Sequence, residues 1–171
     1  MALIVDLDCT LIGSKAAEQL RRQRSWTEVY KLIPTMRPYR GINNLITMLN
    51  KSDIPIAIVT SSPGTYCARV IKQWEWKIDA TVCYHDTNRH KPYPDPILAA
   101  LEKLETTAAE TVAAGDQAID IQAAKSAKVF SVGCSWGAED SEALEKSKPD
   151  LLVTTVEEFF HFLKKRFHIR K

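Results

Sequence analysis

The chain has 171 residues, of which 45% are hydrophobic and 26% charged, and its formal net charge at pH 7 is +2. These values are ordinary for a soluble globular domain, and the charge is too small to indicate nucleic-acid binding by itself. No apolar run approaches the roughly 20 residues that a membrane-spanning helix needs, so we do not expect a membrane protein.

The N-terminal residues and the cysteines favour a reducing compartment. The chain starts without the basic segment and cleavage region of a secretory leader, and it carries Asp6 and Asp8 there instead. The cysteines show neither a CxxC pair nor zinc-ligand spacing. They are Cys9, Cys67, Cys83 and Cys134. We therefore expect free thiols in a cytoplasmic protein.

Six short apolar segments predict buried β-strands, because each is rich in β-branched or apolar residues. In chain order they read ALIVDLD (2–8), IPIAIVT (54–60), ATVCYHD (80–86), TVAAGDQ (111–117), VFSVGCS (129–135) and LLVTTV (151–156). Neither GxxxxGK[ST] nor GxGxxG follows any of them, which argues against an ATPase and against a dinucleotide-binding enzyme.

Apolar residues between the strands recur at the spacing of amphipathic helices. The four stripes are Ile42, Leu45, Ile46 and Leu49; Cys67, Val70, Ile71 and Trp74; Ile97, Leu98, Leu101 and Leu104; and Val156, Phe159, Phe160 and Leu163. This alternation predicts right-handed βαβ crossovers and a parallel sheet covered on both faces. We predict one three-layer, doubly wound, Rossmann-like α/β domain over residues 1–171.

Local signals mark two helix starts and the end of the chain. Ser62 precedes Pro63 and Asp95 precedes Pro96, the pattern of an N-cap followed by proline at the first helical position. The basic segment 164–171 is expected to fray.

Residues 14–36 interrupt the alternation of strand and helix patterns and form an insertion after the first strand. We expect one helix and a return loop there, with Trp26, Val29, Tyr30 and Leu32 packing downward without a core of their own.

Polar residues collect where the predicted strands end. In an open α/β sheet, ligands bind beyond the carboxyl ends of the strands. Those ends carry Asp6 and Asp8, then Thr60, Ser61 and Ser62, then Lys91, then Asp116 and Asp120. Clustered carboxylates favour a hard cation such as Mg²⁺, whereas hydroxyls, helix N-termini and a lysine suit phosphate oxygens. The set predicts phosphoryl transfer, in which an aspartate can act as the nucleophile.

The segments DLDCT, IVTSS, HKPYPDP and AGDQAID, in this order, resemble the four motifs of the haloacid dehalogenase (HAD) superfamily, phosphatase branch. The resemblance covers nearly the whole chain and implies a HAD-like fold with a very small helical cap at residues 14–36. By this resemblance, so short a cap implies a relatively open site, covered either by a neighbouring subunit of a homo-oligomer or by a large substrate. An acid at the second aspartate position favours phosphate esters over carbon–halogen or carbon–phosphorus bonds. A cysteine stands at position 9, where glycine is common, and we expect it to have a packing role.

The resemblance also implies a role for each matched residue. Asp6 would attack phosphorus and Asp8 would act as general acid and then base. Thr60, Ser61 and Lys91 would hold the phosphoryl oxygens. Asp6, the main-chain carbonyl of Asp8 and Asp116 would bind Mg²⁺, with Asp120 in or just outside the ligand set.

Alternatives stay open at this point. The expected reaction is hydrolysis of a small phosphorylated metabolite. Arg21, Arg22 and Arg24, with Lys15 and Lys31, form either a cationic lip or a solvated helix face, and the lip would favour a nucleotide or a nucleic-acid end as substrate. A phosphorylatable receiver-like signalling domain is the alternative from another class. Asp120 could also serve only as a helix cap, and Lys91 could lie in a surface loop.

Overall fold

A parallel sheet of six strands forms the centre of the computed structural model, which describes residues 1–169. All strands, in chain order, are Ala2–Val5 (β1), Ile12–Gly13 (β2), Arg37–Pro38 (β3), Ile56–Val59 (β4), Ala80–Val82 (β5), Thr111–Gly115 (β6), Phe130–Cys134 (β7) and Leu151–Val153 (β8). The sheet order is β5-β4-β1-β6-β7-β8, and β2 pairs with β3 in a separate two-stranded sheet. The predicted strands and doubly wound fold are confirmed.

Helices cover both faces of the sheet. They are Glu18–Arg22 (α1), Trp26–Leu32 (α2), Ile42–Lys51 (α3), Gly64–Gln73 (α4), Asp95–Lys103 (α5), Ala118–Ser126 (α6), Ser141–Lys146 (α7) and Val156–Arg166 (α8). Within residues 1–169, no helix combines the length and the apolar character needed to cross a bilayer.

Two hydrophobic clusters lie on opposite faces of the sheet. Leu3 and Val5 of β1 enter the larger cluster, which α3, α4 and α8 cover, whereas Ile4 enters the smaller one, which α5 and α6 cover. Side chains alternate between the faces of a strand, so a strand buried on both sides must be apolar throughout. This explains why the strand segments read as continuous apolar runs.

The order of the strands reverses around β1, which lies between β4 and β6. Val5, near the carboxyl end of β1, is in register with Ile58 of β4 and Ala114 of β6. The loops that follow these three strands therefore begin side by side. They carry four of the predicted site residues, Asp6, Asp8, Thr60 and Asp116.

Three local predictions need correction. Leu98 is 49% exposed, so the α5 stripe is narrower than the apolar pattern suggests. Helix α4 starts at Gly64 with Pro63 as its N-cap and has no side-chain capping hydrogen bond, while the Ser62 hydroxyl donates to Asp8. Helix α5 starts at Asp95 itself, so this residue lies in the first turn instead of preceding it.

The insertion contains two short helices instead of the single predicted helix. Arg24 adopts a left-handed backbone conformation (φ 56°) and separates α1 from α2. Val29 is fully buried and, with Ile33 and Met36, joins the larger cluster of the sheet. Trp26, Tyr30 and Leu32 pack against the same cluster as expected.

The C-terminal basic segment is more ordered than expected. Helix α8 continues to Arg166, Phe167 is 4% exposed, and Ile169 packs against the larger cluster. Residues 170 and 171 of this segment lie outside the described part of the chain.

A matched pair of leucine substitutions tests these packing assignments. Leu49 is fully buried and Leu98 is 49% exposed. We expect Leu49→Ala to lower the free energy of unfolding by about 2–5 kcal/mol, because it leaves a cavity. Leu98→Ala should change it by less than about 0.5 kcal/mol. Urea unfolding with an unchanged m-value is the measurement, and equal losses in both variants would contradict the assignment.

Candidate active site

A cavity of about 290 Å³ opens at the carboxyl edge of the sheet. Six predicted site residues line it: Asp6, Asp8, Thr60, Ser61, Lys91 and Asp120. The remaining lining residues are Glu18, Arg21, Arg22, Trp26, Ser62, Gln117 and Ile119. The predicted residues therefore lie together, while the roles assigned to them stay predictions.

Three carboxylates form a compact cluster at this edge. One oxygen from each of Asp6, Asp116 and Asp120 lies within 4.8 Å of the others. Burial raises the pKa of Asp6 to about 7, against a smaller opposing effect of Lys91. Burial, with the negative charges of Asp6 and Asp120, raises the pKa of Asp116 to about 8. Such a cluster favours a bound cation, because a cation offsets both desolvation and mutual repulsion.

Lys91 supplies one positive charge to the cluster. Its side chain is only 5% exposed, and its Nζ donates to Asp6 Oδ1 at 2.7 Å and to Asp120 Oδ1 at 2.5 Å. A third bond goes to the main-chain oxygen of Val59 at 3.2 Å. Burial alone would lower the pKa of Lys91, but Asp120 and Asp6 outweigh that effect and raise it. The Lys91 side chain is therefore a buried cation, although the residue belongs to the segment 84–94 between β5 and α5, whose residues are exposed or half-buried.

Neighbouring groups hold the other two carboxylates. Thr10 Oγ1 donates to Asp116 Oδ1 at 2.8 Å. Asp120 Oδ2 accepts from the main-chain N–H of Gln117 at 3.0 Å, at the start of α6. Asp120 thus caps the helix and belongs to the cluster, so the two interpretations do not exclude each other. The contact between Thr10 and Asp116 was not predicted. Thr10 is the threonine of the DLDCT segment, so this segment contains the residue from which the contact could have been inferred.

Glycine is required at the end of β6, beside the cluster. A Cβ atom at Gly115 would lie 2.4 Å from the Cβ, Cγ and Oδ2 atoms of Asp120. Any side chain there would displace this carboxylate. The glycine of AGDQAID therefore leaves the space that Asp120 occupies.

Asp8 lies in a different environment from Asp6 and is not part of the carboxylate cluster. Arg21, Tyr66 and Ser62 donate to its two oxygens. None of these three contacts was predicted, because they come from the insertion and from the α4 segment and have no local motif.

Thr60 and Ser61 occupy the loop between β4 and α4. The Thr60 side chain accepts a hydrogen bond from the main-chain N–H of Ser62 at 3.1 Å. Thr60 is 5% exposed, whereas Ser61 is exposed at the cavity. Both residues line the cavity.

The short insertion borders the cavity. Glu18, Arg21, Arg22 and Trp26 all line it, so the insertion forms part of the cavity wall. Arg21 is paired with Asp8, and Arg22 is paired with Glu18 and Glu139.

The predicted cationic lip therefore consists of two paired arginines. Lys15, Arg24 and Lys31 are not among the cavity-lining residues, and Lys31 pairs with Glu28.

Comparison with known proteins gives a consistent family. Residues 13–134 match the family described as haloacid dehalogenase-like hydrolase. A protein of Caldanaerobacter subterraneus subsp. tengcongensis named "Putative pyrophosphatase PpaX" is 34% identical over 125 residues, which are 72% of this chain and 57% of its own length. Phosphoglycolate phosphatase of Escherichia coli (strain K12) is 29% identical over 110 residues, which are 63% of this chain and 44% of its own length.

A solved structure supports the same fold. The crystal structure named "putative beta-phosphoglucomutase" from Thermotoga maritima superposes with a TM-score of 0.83 at 20% identity, covering 96% of this chain and 98% of that one. The chain belongs to the haloacid dehalogenase-like hydrolase family, which confirms the predicted family. It spans about half the length of the curated relatives that it matches.

The raised pKa of Asp116 predicts a pH-dependent loss of stability in the metal-free protein. Its pKa in the fold, about 8, lies above the ordinary value of 3.8, so the fold favours the protonated form. Between these values the unfolded chain loses the proton first, and stability therefore falls as pH rises. In EDTA, the free energy of unfolding of Asp116→Asn, relative to that of the wild type, should increase by more than about 1 kcal/mol as pH rises from the lower to the higher of these two values.

Urea unfolding at several pH values measures the difference between the two proteins. Glu142→Gln, which removes one exposed carboxylate from the surface pair with Lys146, controls for the change in net charge. If the free energies of unfolding of Asp116→Asn and the wild type changed equally with pH, the result would contradict the raised pKa of Asp116.

Proposed function

We propose that the protein is a Mg²⁺-dependent phosphomonoesterase that acts on a small phosphorylated metabolite through a phosphorylated Asp6. One observation carries this proposal. Asp6 lies between a buried lysine and two further carboxylates, while Asp8, two residues away, lines the same cavity in a separate set of hydrogen bonds. Family membership supports the same chemistry.

The donor set fits magnesium. Mg²⁺ binds oxygen ligands and usually takes only a few carboxylates, leaving positions for water and phosphate. Asp6, Asp116 and the main-chain carbonyl of Asp8 would hold the ion. Both oxygens of Asp120 already accept hydrogen bonds, from Lys91 and from Gln117, so Asp120 would support the site from outside. When bound, Mg²⁺ would neutralise negative charge on the phosphoryl oxygens.

Asp6 and Asp8 would divide the reaction between them. A carboxylate oxygen of Asp6 forms a bond to phosphorus, while the bond between phosphorus and the ester oxygen breaks and leaves its electron pair on that oxygen. Asp8 gives its proton to the departing alcohol. It then takes a proton from the water that attacks the phosphoaspartate, and Asp6 and inorganic phosphate are released.

Lys91, Thr60 and Ser61 would hold the transferring group. Lys91 Nζ contacts Asp6 directly and can therefore reach a phosphoryl oxygen beside it. The Thr60 and Ser61 hydroxyls are donors at the same cavity, and charge-assisted contacts of this kind stabilise the transition state.

The cavity favours a small substrate. A volume of about 290 Å³ is at the lower end of ligand pockets, and four residues of the insertion line the cavity. The relatives named as a pyrophosphatase and a phosphoglycolate phosphatase carry names of small substrates.

Neither alternative gains support from the structure. Arg21 and Arg22 are engaged with carboxylates, which weakens the argument for a nucleotide or nucleic-acid end. Family membership removes the reason to invoke a receiver-like domain.

Replacing the proposed nucleophile tests the reaction. Asp6→Asn keeps the side-chain size but removes the attacking carboxylate, so turnover of a panel of phosphate esters with Mg²⁺ should fall by at least about 10³-fold. Release of inorganic phosphate is the measurement. Asp53→Asn makes the same change at an exposed loop residue with φ 52°, which asparagine tolerates, and should keep full activity. Retained hydrolysis in Asp6→Asn would remove Asp6 as the nucleophile.

Metal binding can be measured without turnover. Saturating Mg²⁺ should raise the thermal unfolding temperature of the wild type, since a ligand at about 100 times its dissociation constant adds about 2.7 kcal/mol of stability. Asp116→Asn should respond much less, because it lacks one ligand. A monovalent salt at matched ionic strength is the control, and an equal response of both proteins would contradict the proposed ligand set.

A further inference from the structure

Asp8 is held by three side-chain donors from two parts of the chain. Arg21 Nη1 and the Tyr66 hydroxyl donate to Oδ1 at 2.5 Å and 2.7 Å, and the Ser62 hydroxyl donates to Oδ2 at 2.9 Å. Arg21 belongs to α1 of the insertion, whereas Ser62 and Tyr66 flank the start of α4. The carboxylate is therefore fixed from two sides.

The donors are themselves fixed. Arg21 Nη1 also donates to the main-chain oxygen of Ser14 at 3.3 Å, and the arginine side chain is only 14% exposed. Tyr66 is fully buried, and its ring lies 5.8 Å from that of Trp26. Ordered donors restrict the carboxylate to one orientation more strongly than mobile surface groups would.

The hydrogen bonds distinguish the two oxygens of Asp8. A carboxylate oxygen has about two acceptor positions. Arg21 and Tyr66 occupy both positions of Oδ1, whereas Ser62 occupies one position of Oδ2. The remaining position, on Oδ2, is the one that can carry a proton without breaking this arrangement. Asp8 and Ser62 both line the cavity.

We propose that Arg21, Ser62 and Tyr66 are positioning residues that hold Oδ2 of Asp8 ready to transfer a proton to and from the reacting oxygen. This inference rests on the proposed function. The insertion then has a defined task, because Arg21 carries its contribution from α1 to the general acid. Lys91 does not contact Asp8 and serves Asp6 instead, so each aspartate has its own cation.

The nature of the leaving group tests this assignment. An alkyl phosphate needs its leaving oxygen protonated, whereas p-nitrophenyl phosphate releases a stable phenolate and needs little help. Arg21→Gln and Tyr66→Phe should therefore lose at least about 10-fold more kcat/KM on an alkyl phosphate than on p-nitrophenyl phosphate. The measured quantity is kcat/KM because it reports the steps up to release of the alcohol and excludes hydrolysis of the phosphoaspartate, which both esters share. Asp8→Asn removes the proton-transferring group itself and should therefore show the largest difference between the two esters. Thermal unfolding confirms that each variant is folded.

Arg24→Gln is the matched control, because Arg24 is exposed on the same insertion and does not line the cavity. It should keep wild-type kcat/KM on both esters. Equal losses of kcat/KM on both esters would assign Arg21 to phosphate binding and overturn the inference, as would unchanged kinetics. A wild type that hydrolyses neither ester would overturn the proposed function, and this inference with it.

Discussion

The contact between Lys91 and the acidic edge of the sheet is the interaction on which the site depends. Parallel strands that end together, and the start of α6, bring Asp6, Asp116 and Asp120 within a few ångströms of one another, where burial and repulsion raise the pKa of Asp6 and Asp116. Lys91 offsets part of this cost through its bonds to Asp6 and Asp120. In the proposed reaction, Mg²⁺ would offset a further part. The same charge balance would then govern both the stability of the edge and its chemistry.

Two aspartates on one short segment acquire different properties because their neighbours differ. Asp6 lies with the cluster and Lys91, whereas Asp8 accepts hydrogen bonds from Arg21, Tyr66 and Ser62. The proposed nucleophile and the proposed proton carrier would need different surroundings. The neighbours of Asp6 come from the segment between β5 and α5 and from the segment that follows β6, whereas those of Asp8 come from the insertion and from the segment that follows β4. The insertion adds only about two dozen residues, yet it provides one of the neighbours of Asp8.

Much of the fold and the acidic side of the site could be predicted from the sequence, and the reason is geometric. Asp6, Thr60 and Asp116 each follow a strand directly, so parallel pairing brings them together whatever the helices do. Arg21 and Tyr66 could not be predicted, because their approach to Asp8 depends on how the insertion and α4 pack. The prediction that Leu98 belongs to the buried stripe of α5 was wrong for a related reason. Helical periodicity identifies an apolar stripe, but the neighbouring elements determine how wide a stripe is covered.

The margins of the central sheet bear on how copies of the protein can associate. The outer strands, β5 and β8, contain three residues each and so present few main-chain groups for pairing. Short outer strands are a common protection against the addition of a strand from another molecule. Self-association of this chain would therefore use side-chain surfaces on the helical layers, where it could be altered by surface substitutions without disturbing the central sheet.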